Sequence, residues 1–172
     1  AHVIKEDLVN PQLLFLGTEF GLWISTDGGR RWSCYKGGNM PAVAVHDLAI
    51  HPRDDDLVIA THGRGIWIVD DITPLRNLTT GTLAKGAAFV QTKPVVQVLS
   101  TFGGWANGDA EFIGPNPPGD AVITYYLQRR HIFGDMKLQV FDSAGKLVQS
   151  LPTGKRRGLS RTAWSMRMAP PG

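Results

Sequence analysis

The 172-residue sequence predicts an all-β protein. Three observations favour this fold class: helical periodicity is nearly absent, apolar runs are short and bounded by turn-forming residues, and a set of such runs occurs twice. Hydrophobic residues make up 42% of the chain, so a buried core is expected. The twenty glycines and eleven prolines predict many turns and few long helices.

The first part of the chain predicts a succession of short strands. Runs rich in β-branched and aromatic residues place them at 3–8, 13–18, 22–25, 32–35, 45–50, 57–61 and 66–69. The dipeptides Asn10-Pro11 and His51-Pro52 end the first strand of each set, because proline has no amide to donate to a ladder.

These strands form two repeats. A shift of about 44 residues places 13–15 on 57–59, and Gly21-Leu22-Trp23-Ile24 on Gly65-Ile66-Trp67-Ile68. Chance matching of short apolar runs is the alternative, but the paired Gly-x-Trp and the paired prolines argue against it. A period of this length with four short strands is typical of β-propeller blades, so 1–76 is predicted to form two blades.

The regular succession of short apolar runs ends at about residue 71. Residues 77–110 are rich in Gly, Thr and Pro and predict a linker with short strands, one of them at 95–99. Residues 111–172 predict part of an immunoglobulin-like β-sandwich. Its strands are expected at 121–127, 137–141, 146–151 and 162–166, with Asp142-Ser143-Ala144-Gly145 as a hairpin turn.

Composition and missing motifs exclude several functions. A net charge of +3 is too small to indicate nucleic-acid binding, and a single cysteine, Cys34, excludes an internal disulfide and a cysteine-rich zinc site. No apolar run reaches the length of a membrane span. Asp54-Asp55-Asp56 lacks the spacing of a calcium loop, and no phosphate loop or hydrolase nucleophile motif is present. We expect no metal and no cofactor.

Residues 25–32 carry the most specific motif. Ser25-Thr26-Asp27-Gly28-Gly29-Arg30-Arg31-Trp32 matches the pattern S-x-D-x-G-x-x-W at every fixed position. It resembles the Asp-box, or BNR repeat, of propellers in sialidases, xyloglucan-type glycosidases and sortilin-type receptors. In the second repeat Asp70-Asp71 is not followed by the glycine and tryptophan of the box.

A second resemblance concerns the end of the repeats. Thr61-His62-Gly63-Arg64-Gly65-Ile66-Trp67 is similar to the closing repeat of large bacterial proteins labelled glycosyl hydrolase-like or sortilin-like. In those proteins a propeller precedes a C-terminal β-sandwich. This resemblance implies an extracytoplasmic protein, periplasmic or secreted, of which the present chain is a C-terminal fragment.

The chemistry of the box residues predicts a structural role. The side chains of Ser25 and Asp27 can bind backbone amides of a tight turn, and Gly28 and Gly29 permit positive φ. Trp32 offers a large apolar surface that anchors the following strand. We therefore expect the box to hold the hairpin between the third and fourth strands, with no catalytic role for Asp27.

The candidate ligand-binding residues lie in turns on the opposite side of the blades. In a propeller the loops between the second and third strands and the loops between blades share one rim, where such folds bind ligands. The residues expected there are Glu19, Phe20, His46, Asp47, His62 and Arg64. The structural alternatives are an ion pair between Arg64 and a neighbouring acid, and hydrogen-bonded structural roles for the two histidines.

These observations predict one function and leave two alternatives open. We expect a non-catalytic structural or recognition fragment of a larger Asp-box propeller protein, which binds a glycan or a polypeptide. The alternative is one wall of the active-site cleft of a glycoside hydrolase, with Glu19 or Asp47 as an acid; a secretion or attachment tail is a third. Since a closed propeller needs at least four blades, the expected partners are the remaining blades or another copy of the chain.

Overall fold

A computed structural model describes residues 1–97 and 119–167 of the chain. The strands are β1 (Val3–Glu6), β2 (Leu14–Thr18), β3 (Gly21–Ser25), β4 (Ser33–Cys34), β5 (Val45–Ile50), β6 (Leu57–Thr61), β7 (Ile66–Val69), β8 (Ala87–Val90), β9 (Ala121–Leu127), β10 (Leu138–Phe141), β11 (Leu147–Leu151) and β12 (Gly158–Trp164). Two short helices, α1 (Thr73–Arg76) and α2 (Thr80–Ala84), follow β7. All strand pairs are antiparallel, so the all-β prediction is confirmed.

The first 70 residues form two sheets of consecutive strands. The first sheet has the order β1-β2-β3-β4, and the second has the order β5-β6-β7. The strands expected at 45–50, 57–61 and 66–69 are observed with those bounds, and the strands of the first sheet end within two residues of the predicted positions.

The second sheet has three strands where the repeat predicted four. After β7 the Asp71 amide donates to the Asp56 carboxylate at 2.9 Å, and the Ile72 amide donates to the Asp55 carbonyl at 2.8 Å. Asp71 adopts φ 50°, and Pro74 opens α1. These contacts turn the chain away from the sheet, because no Gly-rich hairpin turn is available after Asp70.

The two sheets differ in the register of their second hairpin. Leu16 pairs with Trp23 in the first sheet, whereas Ile59 pairs with Trp67 in the second. The repeat alignment that placed Phe15 on Ile59 is therefore wrong by one residue in this strand. The cause is one additional residue in the second turn, and a slip of one residue turns every side chain to the other face of a sheet.

One apolar core lies between the two sheets. Phe15 and Leu22 face it from the first sheet, and Leu57 and Ile59 face it from the second. Ile72, just before α1, closes the core and is fully buried. The complete set of buried members is Leu13, Phe15, Leu22, Val45, Leu48, Ile50, Leu57, Ile59 and Ile72.

The third sheet has the order β12-β9-β8, and β10 and β11 form a separate hairpin. A second core joins them, made of Tyr125, Leu127, Leu138 and Leu151. β8 comes from the segment expected as a linker. Residues 95–97 of the strand expected at 95–99 are not in a strand, and residues 98 and 99 lie outside the described ranges.

The last predicted strand also differs from the observed one. β12 begins at Gly158, whose φ is 105°, and ends before Met166, whose φ is 56°. It pairs with β9 over its whole length, from Gly158 opposite Leu127 to Trp164 opposite Ala121. The strand therefore starts earlier than the predicted 162–166, because the turn-forming glycine and not the next apolar residue sets its beginning.

The two parts of the chain contact each other near the end of β7. The Arg161 guanidinium of β12 donates hydrogen bonds to the backbone carbonyls of Asp70, at 2.7 Å, and of Asp71. Neither helix in the described ranges has the length and apolar character that crossing a membrane requires.

Candidate ligand-binding rim

Three histidine rings form a stack at one end of the first two sheets. The ring centroids of His2 and His46 are 4.5 Å apart with an interplanar angle of 12°. Those of His46 and His62 are 5.3 Å apart with an angle of 30°. We call His2, His46 and His62 the histidine stack.

The backbone places each ring at a strand end. The His2 amide donates to the Gly17 carbonyl at 2.9 Å, just before β1. The His62 amide donates to the Ala44 carbonyl at 2.9 Å, just after β6. His46 lies at an irregularity of β5, between the paired residues Val45 and Asp47. A bulge of this kind redirects a side chain, and here it brings His46 between the other two rings.

The turn between β2 and β3 contributes Glu19 and Phe20. The Thr18 hydroxyl donates to the Gly21 carbonyl at 2.9 Å and fixes the turn. Glu19 Oε2 lies 2.7 Å from His2 Nε2, so the carboxylate extends the histidine stack. Phe20, the next residue of the turn, is 78% exposed.

The turn between β6 and β7 contributes Arg64. The Thr61 hydroxyl donates to the Gly65 carbonyl at 2.6 Å, and the Trp67 indole donates to the Arg64 carbonyl at 3.0 Å. These bonds hold the backbone while the Arg64 side chain is exposed. No ion pair within residues 1–97 and 119–167 involves Arg64, so the expected pairing with a neighbouring acid is absent there.

Asp47 follows His46 in the sequence but lies on a different face of the second sheet. It lies opposite Ala60 in the ladder, and Ala60 lies opposite Ile66, on the face of the second sheet that points away from the first sheet. Its Oδ1 accepts a hydrogen bond from the Leu48 amide at 2.8 Å. The rim therefore consists of the histidine stack, Glu19, Phe20 and Arg64. The place of Asp47 on the rim stays a prediction, since its rung is the one nearest the rim but its side chain belongs to the outer face of the sheet.

Sequence reasoning missed His2. Its position coincides with that of His46 under the same shift that aligns the two Gly-x-Trp segments. The repeat therefore contained the signal for a histidine at the start of both sheets. This signal is weak, because a single histidine before the first strand is not part of any alternating pattern of apolar residues.

The turn of residues 26–32 lies at the opposite end of β3 from the rim. The Ser25 hydroxyl donates to Asp27 Oδ1 and accepts from the Gly29 amide, both at 2.9 Å. Asp27 Oδ1 also accepts from the Arg31 amide at 2.9 Å, and the Trp32 indole donates to the Gly29 carbonyl at 3.0 Å. The hydrogen bond from the Arg31 amide holds the pKa of Asp27 below its ordinary value, against a smaller opposing effect of burial.

The rim suits recognition more than metal chemistry. No group of three or more potential metal ligands converges among residues 1–97 and 119–167. The imidazoles face one another across their ring planes, so their nitrogens do not surround a common point. What the rim offers is an aromatic face, a guanidinium, imidazole nitrogens and a carboxylate at one exposed surface.

Two other features were candidates for a site. A groove of about 410 Å³ lies at the third sheet, but its lining is mainly apolar and includes Phe89, Ile123, Val140 and Trp164. Asp70 has a pKa raised by burial and by the charge of Asp56, with Arg161 partly offsetting the shift. It follows β7 and so lies at the strand end opposite the rim. Neither feature brings several polar groups together as the rim does.

Comparisons with protein-family models, with curated proteins and with solved structures each found no match. The resemblance of residues 25–32 to the Asp-box therefore rests on the motif in the sequence.

Proposed function

We propose that this chain is a non-catalytic recognition fragment of a larger Asp-box propeller protein and that it binds a glycan at the rim. The observation that carries the proposal is the assembly of the histidine stack, Glu19, Phe20 and Arg64 at one exposed end of two packed sheets. In the parent protein, further blades of the propeller would continue this rim.

The chemistry of the rim supports a sugar ligand. A pyranose has an apolar face of C–H groups and a periphery of hydroxyls, so it needs an aromatic ring beside several hydrogen-bonding groups. Phe20 supplies an exposed ring, and Arg64 and the imidazoles supply donors. In a polypeptide ligand, a carboxylate would bind Arg64, and Phe20 would contact only one side chain of the peptide.

The test is binding of the purified chain to a panel of neutral and acidic oligosaccharides, followed by calorimetric titration of the best binder. Phe20→Ala and Arg64→Ala should each weaken binding by about tenfold, which corresponds to about 1.4 kcal/mol. Both side chains are exposed, so the melting temperature should stay unchanged.

Phe133→Ala is the matched control, because Phe133 is equally exposed but lies between β9 and β10, in the other part of the chain. It should bind as the wild type does. If Phe20→Ala and Arg64→Ala bound every oligosaccharide like the wild type, the glycan proposal would fail. Binding confined to peptides with a free carboxylate would favour the polypeptide ligand instead.

The alternative is that the rim forms one wall of a glycoside hydrolase cleft. Such an enzyme needs two carboxyl groups about 5–10 Å apart across the bond that is cleaved. Glu19 already pairs with His2, and Asp47 bonds its own neighbouring amide on a different face. Loss of turnover by the parent protein on Glu19→Gln or Asp47→Asn would favour the enzyme.

A further inference from the structure

The ladders of the two sheets define which residues share a face. In the first sheet each rung takes one residue from each of β1, β2 and β3. The rungs are Val3-Gly17-Leu22, Ile4-Leu16-Trp23, Lys5-Phe15-Ile24 and Glu6-Leu14-Ser25. The first and third rungs face one side of the sheet, and the second and fourth face the other side.

The second sheet has the same set of rungs. They are Asp47-Ala60-Ile66, Leu48-Ile59-Trp67, Ala49-Val58-Ile68 and Ile50-Leu57-Val69. The rung that contains Trp67 corresponds to the rung that contains Trp23, since both tryptophans lie two residues after the glycine that ends the turn. The other rungs then correspond in order, and eight of the twelve pairs of equivalent positions are apolar. The exceptions are Val3 with Asp47, Lys5 with Ala49, Glu6 with Ile50 and Ser25 with Val69.

The two sheets pack through faces that are not equivalent. The first sheet uses the face of Phe15 and Leu22, whereas the second sheet uses the face of Ile59 and Trp67. The approach is close, since a Cβ atom on Gly17 would lie 2.6 Å from the Val45 carbonyl oxygen. The packing of the first sheet on the second therefore shows how these two kinds of face contact each other.

In the described parts of the chain no other sheet packs on the remaining two faces, although the turn after β3 covers one end of the first sheet, where Ser25 is buried. Face A is the side of the first sheet with Ile4, Leu14, Leu16 and Trp23, and it also carries Glu6 and Ser25. Face B is the side of the second sheet with Ala49, Val58, Ala60, Ile66 and Ile68, and it also carries the exposed Asp47 at the end nearest the rim. Ile4 is 60% exposed, and Ile66 and Ile68 are 71% and 58% exposed. Exposed apolar surface of this kind marks an interaction site.

Face A is equivalent to the face that the second sheet buries, and face B is equivalent to the face that the first sheet buries. We propose that face B of one copy of this chain packs on face A of a second copy and repeats the contact that already joins the two sheets within one chain. Such an interface is head-to-tail, because it joins two different patches. It does not rest on the proposed glycan binding, since both faces run along the strands and the rim lies at the strand ends.

The first measurement is the sedimentation of the wild-type chain over roughly a hundredfold range of concentration. We expect association that increases with concentration. Ile4→Asp places a charge on face A, and Ile68→Asp places a charge on face B. Either variant should raise the dissociation constant at least about tenfold, because every contact between identical copies needs one intact face of each kind.

The decisive measurement mixes the two variants. The Ile4→Asp chain keeps face B intact, and the Ile68→Asp chain keeps face A intact. The equimolar mixture should therefore form a one-to-one dimer that cannot grow, although each variant alone stays monomeric. Ile132→Asp is the matched control, because Ile132 is similarly exposed but lies on neither face, and it should associate as the wild type does.

Three results would overturn the proposal. The wild type could remain monomeric at every concentration. Ile4→Asp could associate as the wild type does while Ile68→Asp is monomeric, which would indicate contact between two copies of face B. Ile132→Asp could be as monomeric as the other variants, which would place the interface elsewhere. Circular dichroism and the melting temperature of each variant establish that it is folded before its association is compared.

Discussion

Ser25 and Asp27 hold their turn through directed hydrogen bonds to each other and to the amides of Gly29 and Arg31. Ser25 is buried, so its hydroxyl needs both of its partners. These bonds follow from the spacing of the residues alone, because a short polar side chain reaches amides two to four positions further along a tight turn.

Asp27→Ala should lower the melting temperature and leave ligand binding at the rim unchanged, because the turn lies at the other end of β3. The pKa of Asp27 is lowered in the folded chain, so its contribution to stability is present above the ordinary aspartate pKa and lost as the pH falls through the lowered value. Thermal melts of the wild type and the variant at several pH values check both statements.

Asp27→Asn is the matched control, since an amide oxygen can still accept from the Arg31 amide. It should melt between the wild type and Asp27→Ala. A variant Asp27→Ala that melted like the wild type but lost ligand binding would contradict the structural role of this residue.

The positions of individual rim residues show which of them could be predicted from the sequence. Glu19, Phe20, His62 and Arg64 lie in hairpin turns, and turns were identifiable from glycine positions. The stacking of His2 on His46 and the bulge at His46 could not be predicted, for one reason. Ring stacking and a bulge depend on how two strands from different sheets end beside each other, which neighbouring residues in the sequence do not encode.

At the level of strands, one residue in a turn decides which face each side chain occupies. The additional residue in the β6–β7 turn places the partly buried Trp67 against the core, whereas Trp23 lies on the other face of its sheet. The sequence repeat located the strands correctly but could not reveal this difference, because both registers preserve the alternation of apolar residues.

Gly17→Ala tests the close packing of β2 against β5. A Cβ atom there would lie 2.6 Å from the Val45 carbonyl oxygen and 2.6 Å from Val3 Cγ1, and the carbonyl belongs to backbone that cannot rotate away. We expect a loss of about 1–3 kcal/mol in the free energy of unfolding, measured by urea denaturation.

Gly86→Ala is the control for this substitution, because a Cβ atom added there would have no neighbouring atom within 4 Å, and the φ of Gly86 is not positive. It should change the free energy of unfolding by less than about 0.5 kcal/mol. Equal effects of the two substitutions would mean that the sheets pack less closely at Gly17 than the structure indicates.

Across the whole molecule, Arg76 ties together segments that are distant in sequence. Its guanidinium donates to both oxygens of the Asp7 carboxylate, at 2.7 and 2.8 Å, and to Asp55 at 2.7 Å. Lys93 lies 2.7 Å from the second oxygen of Asp55. The cluster joins the connection after β1, the connection after β5, α1 and the chain beyond β8. The Asp7 side chain is fully buried, so its charge depends on Arg76.

Arg76→Met should reduce the free energy of unfolding by about 3–5 kcal/mol, because it leaves the Asp7 carboxylate buried without its partner. Burial raises the pKa of Asp7, but the hydrogen bonds from Arg76 and from the amides of Asn10 and Val9 outweigh it, so the net pKa is lowered. The stability that Asp7 contributes is thus present above the ordinary aspartate pKa and lost on acidification.

The double variant Asp7→Asn with Arg76→Met completes a double-mutant cycle that measures the coupling between Asp7 and Arg76. It should be more stable than Arg76→Met alone, and its stability should depend less on pH below about pH 5, since the buried charge is gone. Denaturation at neutral and acidic pH measures both effects. Additive losses in the double variant would show that Asp7 and Arg76 do not act as a pair.

Local chemistry was enough to establish the all-β class, most strand positions and the hydrogen bonds of the Ser25–Asp27 turn. Each of these depends on residues close together in the chain, where alternation, glycine and proline act directly. Tertiary structure alone decided the register of the β6–β7 hairpin, the histidine stack, the Arg76 cluster and the pairing of β8 with β9. These features join segments far apart in sequence, and their free energy comes from burial and charge pairing that exist only once the sheets have packed.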